Sequence, residues 1–350
     1  KRKWNLLKNK YLYIFGSEWF GMVIATLAVA QVFFLVSRYL VDVELKYIGE
    51  VFFGLGIILF IVIFALWSLR GVTAHDKKFT HWNSLTRLSF IALIPIISFI
   101  INHILIDLIG MTKLLAQISL YNYFFSYFLA MTLGVLLGYR LYTKEIDKNE
   151  INYAIIIPPL SIGTSIFLAT PLMGYYHGNL AESIYFLVLM GLGIFFFLYI
   201  FIGSVALSGH VSNKSNSTLP TTMLPVGVSS LIIINLLSIT SFGPVIGHMV
   251  LNIGTVEFIS ILLWGFEVWN FLVVFILLFQ KKTFGYLSVW AYGFPLGLFA
   301  TSTIKLEAVT RIAVLGDVFI FIWAMLIILW FYALLNTYVF VSRIKKSSKT

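Results

Sequence analysis

Ten apolar segments, each long enough to cross a bilayer, dominate this chain, and a soluble fold has no way to bury them all. A spanning helix needs about 20 mostly apolar residues. The segments run roughly over 15–37, 48–70, 86–106, 116–140, 152–173, 181–208, 221–242, 256–280, 284–304 and 312–342. Of the 350 residues, 60 % are hydrophobic and 11 % charged, against roughly 25 % charged in soluble domains. Lipid offers backbone groups no hydrogen bonds, so segments of this length must be helices. The expected fold is an all-α polytopic membrane protein. Residues 1–350 make one transmembrane domain, because no hydrophilic block is long enough for another. The chain starts at Lys1 rather than Met, so native residues are expected to precede it. No cleavable signal is recognisable, since Lys1-Arg2-Lys3 leads into a full-length span.

Charge sets the orientation. Basic residues favour cytoplasmic loops. Of the 24 Lys and Arg, nineteen fall on one side of the ten spans, from Lys1 through Arg70, Arg87, Arg140 and Lys281 to Lys349. Five fall on the other: Arg38, Lys46, Lys113, Lys305 and Arg311. Both termini are therefore expected in the cytoplasm of a multi-pass cell-membrane protein. The net charge of +10 does not point to nucleic acid, because the basic residues are scattered through short loops.

Alternate segments differ in kind. Pro95, Pro159, Pro225 and Pro295 each fall within an odd-numbered segment, at separations of 64, 66 and 70 residues. A proline inside a helix removes a backbone hydrogen bond and bends or breaks it. Membranes tolerate this where the freed groups face protein or water. Odd segments also hold the small residues, among them Gly21, Gly163, Gly227 and Gly297. Even segments lack proline and carry runs such as Phe195-Phe196-Phe197. This predicts five helix hairpins, odd helices inside around a lumen and even helices in an outer ring. Close helix packing is the competing use of small residues.

The odd segments hold no ionisable group well inside segments 3, 5, 7 or 9, which argues for passive movement, since coupled carriers place such groups near the midplane. Phe20, Phe90, Phe167 and Phe294 are placed to project inward, where an aromatic ring can block and dewet a narrow lumen. Ordinary helix packing is the alternative for each. Lys305 and Arg311 flank the far end of segment 9, and Arg87 flanks the cytoplasmic end of segment 3. Such rims concentrate anions, unless they only anchor the interface by snorkelling. Glu267 lies mid-span in segment 8. Its place on an even helix favours a hydrogen bond to a neighbouring helix or at a subunit interface over a transport role.

Catalytic patterns are missing. The six histidines fall in loops or near span ends without metal-ligand spacing, and no nucleophile elbow, P-loop or dinucleotide fingerprint occurs. There is no cysteine, so disulfides and thiolate metal sites are ruled out. Neither enzyme activity, cofactor nor metal is expected.

At segment 9 the chain reads Trp290-Ala291-Tyr292-Gly293-Phe294-Pro295, then Thr303-Ile304-Lys305. This resembles the tellurite-resistance/dicarboxylate transporter family (TehA-like), to which the plant guard-cell slow anion channel and the yeast malate permease are related. Trp19-Phe20-Gly21 resembles the family's first helix, with Ser17 or Glu18 where proline is common. His81–Pro95 resembles its basic loop, with Trp82 in place of a frequent proline. The resemblance implies ten helices as five pseudo-symmetric hairpins, a pore in each protomer of a homotrimer, and Phe294 as the pore plug. Pro295 is then the hinge that turns Phe294 inward. The implied partners are small inorganic or organic anions and the lipid bilayer. The function expected is passive anion transport gated by phenylalanine. The alternatives are a C4-dicarboxylate or malate carrier, with or without proton coupling, and a tellurite-resistance-type exporter.

Overall fold

The computed structural model describes residues 14–73, 84–146, 150–212, 215–244, 247, 251–281 and 283–347. Lys1, Arg2, Lys3, His81, Trp82 and Lys349 lie outside them, as do several loop lysines. Among the described residues all regular structure is helical, and ten helices are long and apolar enough to cross a membrane. They are span 1 (Ser17–Leu40), span 2 (Val43–Val72), span 3 (Leu85–Ile109), span 4 (Lys113–Thr143), span 5 (Tyr153–Tyr175), span 6 (Asn179–Val211), span 7 (Leu219–Phe242), span 8 (Ile253–Gln280), span 9 (Leu287–Thr310) and span 10 (Val314–Ile344). Each matches one apolar segment. Most ends extend past the apolar run because turns such as 41–42, 110–112 and 311–313 are so short.

With ten spans, span 1 starts and span 10 ends on one side, here called the terminal side; the other is the far side. Every odd span therefore runs from the terminal side to the far side. Burial separates the two sets. In odd spans 61–89 % of an apolar 18-residue stretch is buried, against 17–39 % in even spans. Phe125, Phe128, Phe201 and Phe331 of the even spans are exposed. Against lipid tails such exposure costs little, because tails are as apolar as the side chains.

The prolines act differently from mid-helix kinks. Each is the second or third residue of an α-helix: Pro95 in Leu93–Ile109, Pro159 in Ile157–Gly163, Pro225 in Leu224–Phe242 and Pro295 in Gly293–Thr310. The N–H that proline lacks has no helical partner in a first turn. Its ring instead excludes α-geometry four residues earlier. Those residues are Ile91, Ile155, Thr221 and Ala291. Ile91 ends a short helix (Leu85–Ile91), and the other three lie in 3-10 turns. Span 1 does the same without proline, passing from a 3-10 turn (Ser17–Trp19) into Phe20–Leu40. Each odd span thus opens on the terminal side with a short segment, a 3-10 turn in spans 1, 5, 7 and 9 and a short α-helix in span 3, before its main helix. Span 5 breaks again at Thr164–Ser165.

Spans 1 and 9 meet backbone to backbone and so join the two ends of the chain. A Cβ added at Gly293 would lie 2.5 Å from the Ala25 Cβ and 3.1 Å from its Cα, and one at Gly297 would lie 2.7 Å from the Ala28 Cβ. Gly227 of span 7 approaches the Pro295 Cα in the same way, at 3.1 Å. From span 10, Trp330 Nε1 donates to Thr26 Oγ1 at 3.0 Å behind this contact. We predict that Gly293→Val, which must push spans 1 and 9 apart, costs about 1–3 kcal/mol and lowers the thermal midpoint of the purified protein. An unchanged or higher midpoint would show that the contact does not control the fold.

Candidate functional site

Three cavities lie in series within the odd-span bundle. The terminal-side cavity, about 340 Å³, is built from the opening turns. Gly21, Arg87, Phe90, Asn152, Thr221 and Trp290 line it, together with Arg70 from span 2. The far-side cavity, about 140 Å³, is lined by all five odd spans, for example by Gln31, His103, Phe167, Ser238 and Lys305. Between them about 10 Å³ remains, enclosed by Ala28, Gln31, Ile100, Phe167, Phe294, Gly297, Leu298 and Thr301. One water needs roughly 10–15 Å³ on this kind of measure. The constriction therefore does not pass a hydrated ion in this conformation.

Helical spacing explains the alignment. Phe294, Leu298, Thr301 and Lys305 follow one another at four, three and four residues, which is one face of a helix. That face runs from the constriction to the far-side cavity. Gln31, Leu35 and Arg38 of span 1 and Ile100, His103 and Asp107 of span 3 repeat the pattern.

Polar side chains tie the opening turns into a belt around the terminal-side cavity. Ser17 Oγ donates to the Arg87 carbonyl at 2.8 Å, and Arg87 Nε is 3.2 Å from Glu18 Oε1. The Leu85 amide donates to Glu150 Oε2 at 2.9 Å, and Asn152 Nδ2 donates to Thr86 Oγ1 at 3.3 Å. His210 Nε2 accepts from the Tyr153 amide at 3.2 Å and sits 3.2 Å from Thr221 Oγ1. Ser17 and Glu18 thus latch span 1 to span 3. Arg70 is 2 % exposed, buried in the cavity wall. On the far side Arg38 Nη2 pairs with Asp107 Oδ2 at 3.0 Å.

The residues singled out from sequence divide into two groups. Phe90, Gly21 and Arg87 line the terminal-side cavity, Phe167, Phe294 and Gly297 the constriction, and Lys305 the far-side cavity. Phe20 instead packs outward on Phe60 and Trp67 of span 2, at ring-centroid distances of 6.4 and 5.7 Å. Gly163 faces Phe195 and Leu231, and Gly227 faces Pro295. Pro95, Pro159, Pro225 and Pro295 shape the backbone without lining these three cavities. Arg311 is exposed in a left-handed turn, φ 58°, outside the far-side lining. Arg70, Ile100, Leu298, Thr301, His103 and Asp107 were not singled out. Stepping by helical periods from Phe294 finds two of them, Leu298 and Thr301. Arg70 lies on an even span and carries no such signal.

Glu267 is fully buried, turned inward from span 8, and its Oε2 accepts from Ser302 Oγ at 3.0 Å. Asn270 Nδ2 donates to the Thr222 carbonyl at 3.1 Å. Both residues join span 8 to odd spans and lie outside the three cavity linings.

The family model described as voltage-dependent anion channel (SLAC1) matches residues 14–338. The chain belongs to the SLAC1 family. It is also 24 % identical over 341 residues to an uncharacterized transporter of Methanocaldococcus jannaschii, covering 94 % of this chain and 95 % of the relative. The match takes in all ten spans up to the last turns of span 10, and with them every residue of the three cavities except Phe340. Membership makes this a multi-pass membrane protein of an anion transport family and confirms the resemblance drawn from segment 9.

The absence of cysteine permits a direct test of the geometry. Single substitutions Thr170→Cys and Ser238→Cys should react with a charged, membrane-impermeant thiol reagent only from the far side. Ser217→Cys and Ser288→Cys should react only from the terminal side. Labelling of either pair from both sides would show that the constriction is not closed.

Proposed function

We propose that the protein is a passive channel or channel-like uniporter for small anions, with the path running along the odd-span bundle and Phe294 as its gate. The observation that carries this reading is the pair of cavities meeting at a constriction that Phe294 and Phe167 help to close. Charge supports an anion as the cargo. Arg70 and Arg87 outnumber Glu18 in the lining of one cavity, and Lys305 and Arg38 outnumber Asp107 in the other. A cation about 6 Å from an anion is worth roughly 3 kcal/mol at an effective dielectric of about 20. The odd spans all run in one direction, so the positive ends of their helix dipoles also gather on the terminal side. Phe294 follows directly on Gly293 and precedes Pro295, at the point where the opening turn becomes α-helix. A small rearrangement of that junction would swing the ring out of the path.

In this reading the terminal side is cytoplasmic, following the nineteen-to-five division of basic residues, in the plasma membrane. Each protomer of a homotrimer carries its own path, as the family resemblance implies. One observation favours a second reading, a C4-dicarboxylate carrier. The larger cavity, about 340 Å³ and lined by Arg70, Arg87 and the carboxylate Glu18, has room for an organic dianion and a formal net charge of +1. Saturable malate uptake driven by a pH gradient would support that carrier over the channel.

The test is Phe294→Ala in proteoliposomes or under voltage clamp. Removing the ring should raise chloride or nitrate flux at least tenfold, which corresponds to about 1.4 kcal/mol of barrier. The reversal potential should follow the anion gradient. Flux equal to or below wild type would remove Phe294 from the gate.

A further inference from the structure

The far-side cavity contains chemistry that a simple gated channel leaves unused. Its charged or titratable lining groups are Arg38 from span 1, His103 and Asp107 from span 3, and Lys305 from span 9. Spans 5 and 7 contribute no charge to it. Arg38 and Asp107 neutralise one another at 3.0 Å, and the Arg38 side chain is the outermost of the group, 57 % exposed against 19 % for His103. Among the described residues no carboxylate lies within 4 Å of the Lys305 ammonium, so its charge faces the cavity.

His103 sits deepest on span 3. Its Nε2 is 3.9 Å from Asp107 Oδ2, and its ring lies against Phe167 with centroids 5.5 Å apart. Phe167 lines both the constriction and the cavity. His103 is therefore the last titratable group before the path narrows. An imidazole is neutral without its second proton and a cation with it. With His103 neutral, two cations and one carboxylate give the cavity a net charge of +1; a proton on His103 makes it +2. The volume of about 140 Å³ holds a small anion with several waters, since one water needs roughly 10–15 Å³ on this measure.

We propose that the far-side cavity is a binding subsite for one small monovalent anion, held between Lys305 and His103, and that a proton on His103 completes it. This rests on the anion-path reading above. Acid on the far side fills the subsite and raises the supply of anion to the constriction. Asp107 keeps the imidazolium partnered when the subsite is empty.

Voltage-clamp recording with chloride or nitrate tests this, because both anions stay ionised across the range and only the protein titrates. Wild type and Phe294→Ala are recorded, the second so that current does not depend on gate opening. Lowering the far-side bath from pH 7.5 to 5.5 drives the imidazole toward its protonated form and should raise the current severalfold. The same change on the terminal side should not. On both backgrounds His103→Gln should give low current that is flat with pH, and His103→Arg high current that is equally flat. Lys305→Gln should lower current at every pH and keep the titration. His103 variants that titrate like their parents, or current that falls with far-side acid, would overturn the subsite while leaving the channel standing. Absence of anion current under every condition would overturn both.

Discussion

Spans 1 and 9 lie at opposite ends of the chain, and the rest of the structure depends on how closely they touch. Gly293 and Gly297 have no side chain, and Ala25 and Ala28 have only a methyl. In lipid, where apolar burial between helices gains little over tail contact, such close approach is what van der Waals attraction can use. The contact closes the odd spans into a bundle. It also fixes the rotation of span 9, and with it the face carrying Phe294, Leu298, Thr301 and Lys305. A span 9 rotated by one residue would swing that face by about 100° and leave the constriction without its ring.

The prolines serve the same end by a different route. A helix broken in mid-membrane leaves carbonyls without partners, which lipid does not satisfy. Placed in the first turn of the main helix, each proline loses nothing and only forbids the preceding turn from continuing as α-helix. The opening turns so produced are latched sideways by Ser17, Glu150, Asn152 and His210. The result is a rigid polar collar around a cavity, built from segments that by composition alone look uniformly apolar.

Much of this was legible in the sequence. Ten spans follow from length and hydropathy, and their inner and outer division follows from where proline, glycine and phenylalanine fall. Phe294 and Lys305 were legible because a local motif marks them. What composition cannot show is rotation about a helix axis. Phe20 and Phe90 both sit near the opening of an odd span, yet one ring packs outward on Trp67 and the other faces a cavity. Gly163 and Gly227 likewise turned out to make room for neighbours rather than for a lumen. Arg70 was hidden for another reason: it lies at the end of an outer span, where a basic residue normally marks only the membrane boundary.

The central claim is that anions reside on the axis of the odd-span bundle, on either side of Phe294 and Phe167. Anomalous diffraction from crystals grown in iodide tests it most directly. The account predicts iodide peaks in the terminal-side cavity near Arg70 and Arg87 and in the far-side cavity near Lys305, with none between Phe294 and Phe167. Iodide confined to the lipid-facing surface of the even spans, with both cavities empty, would contradict it.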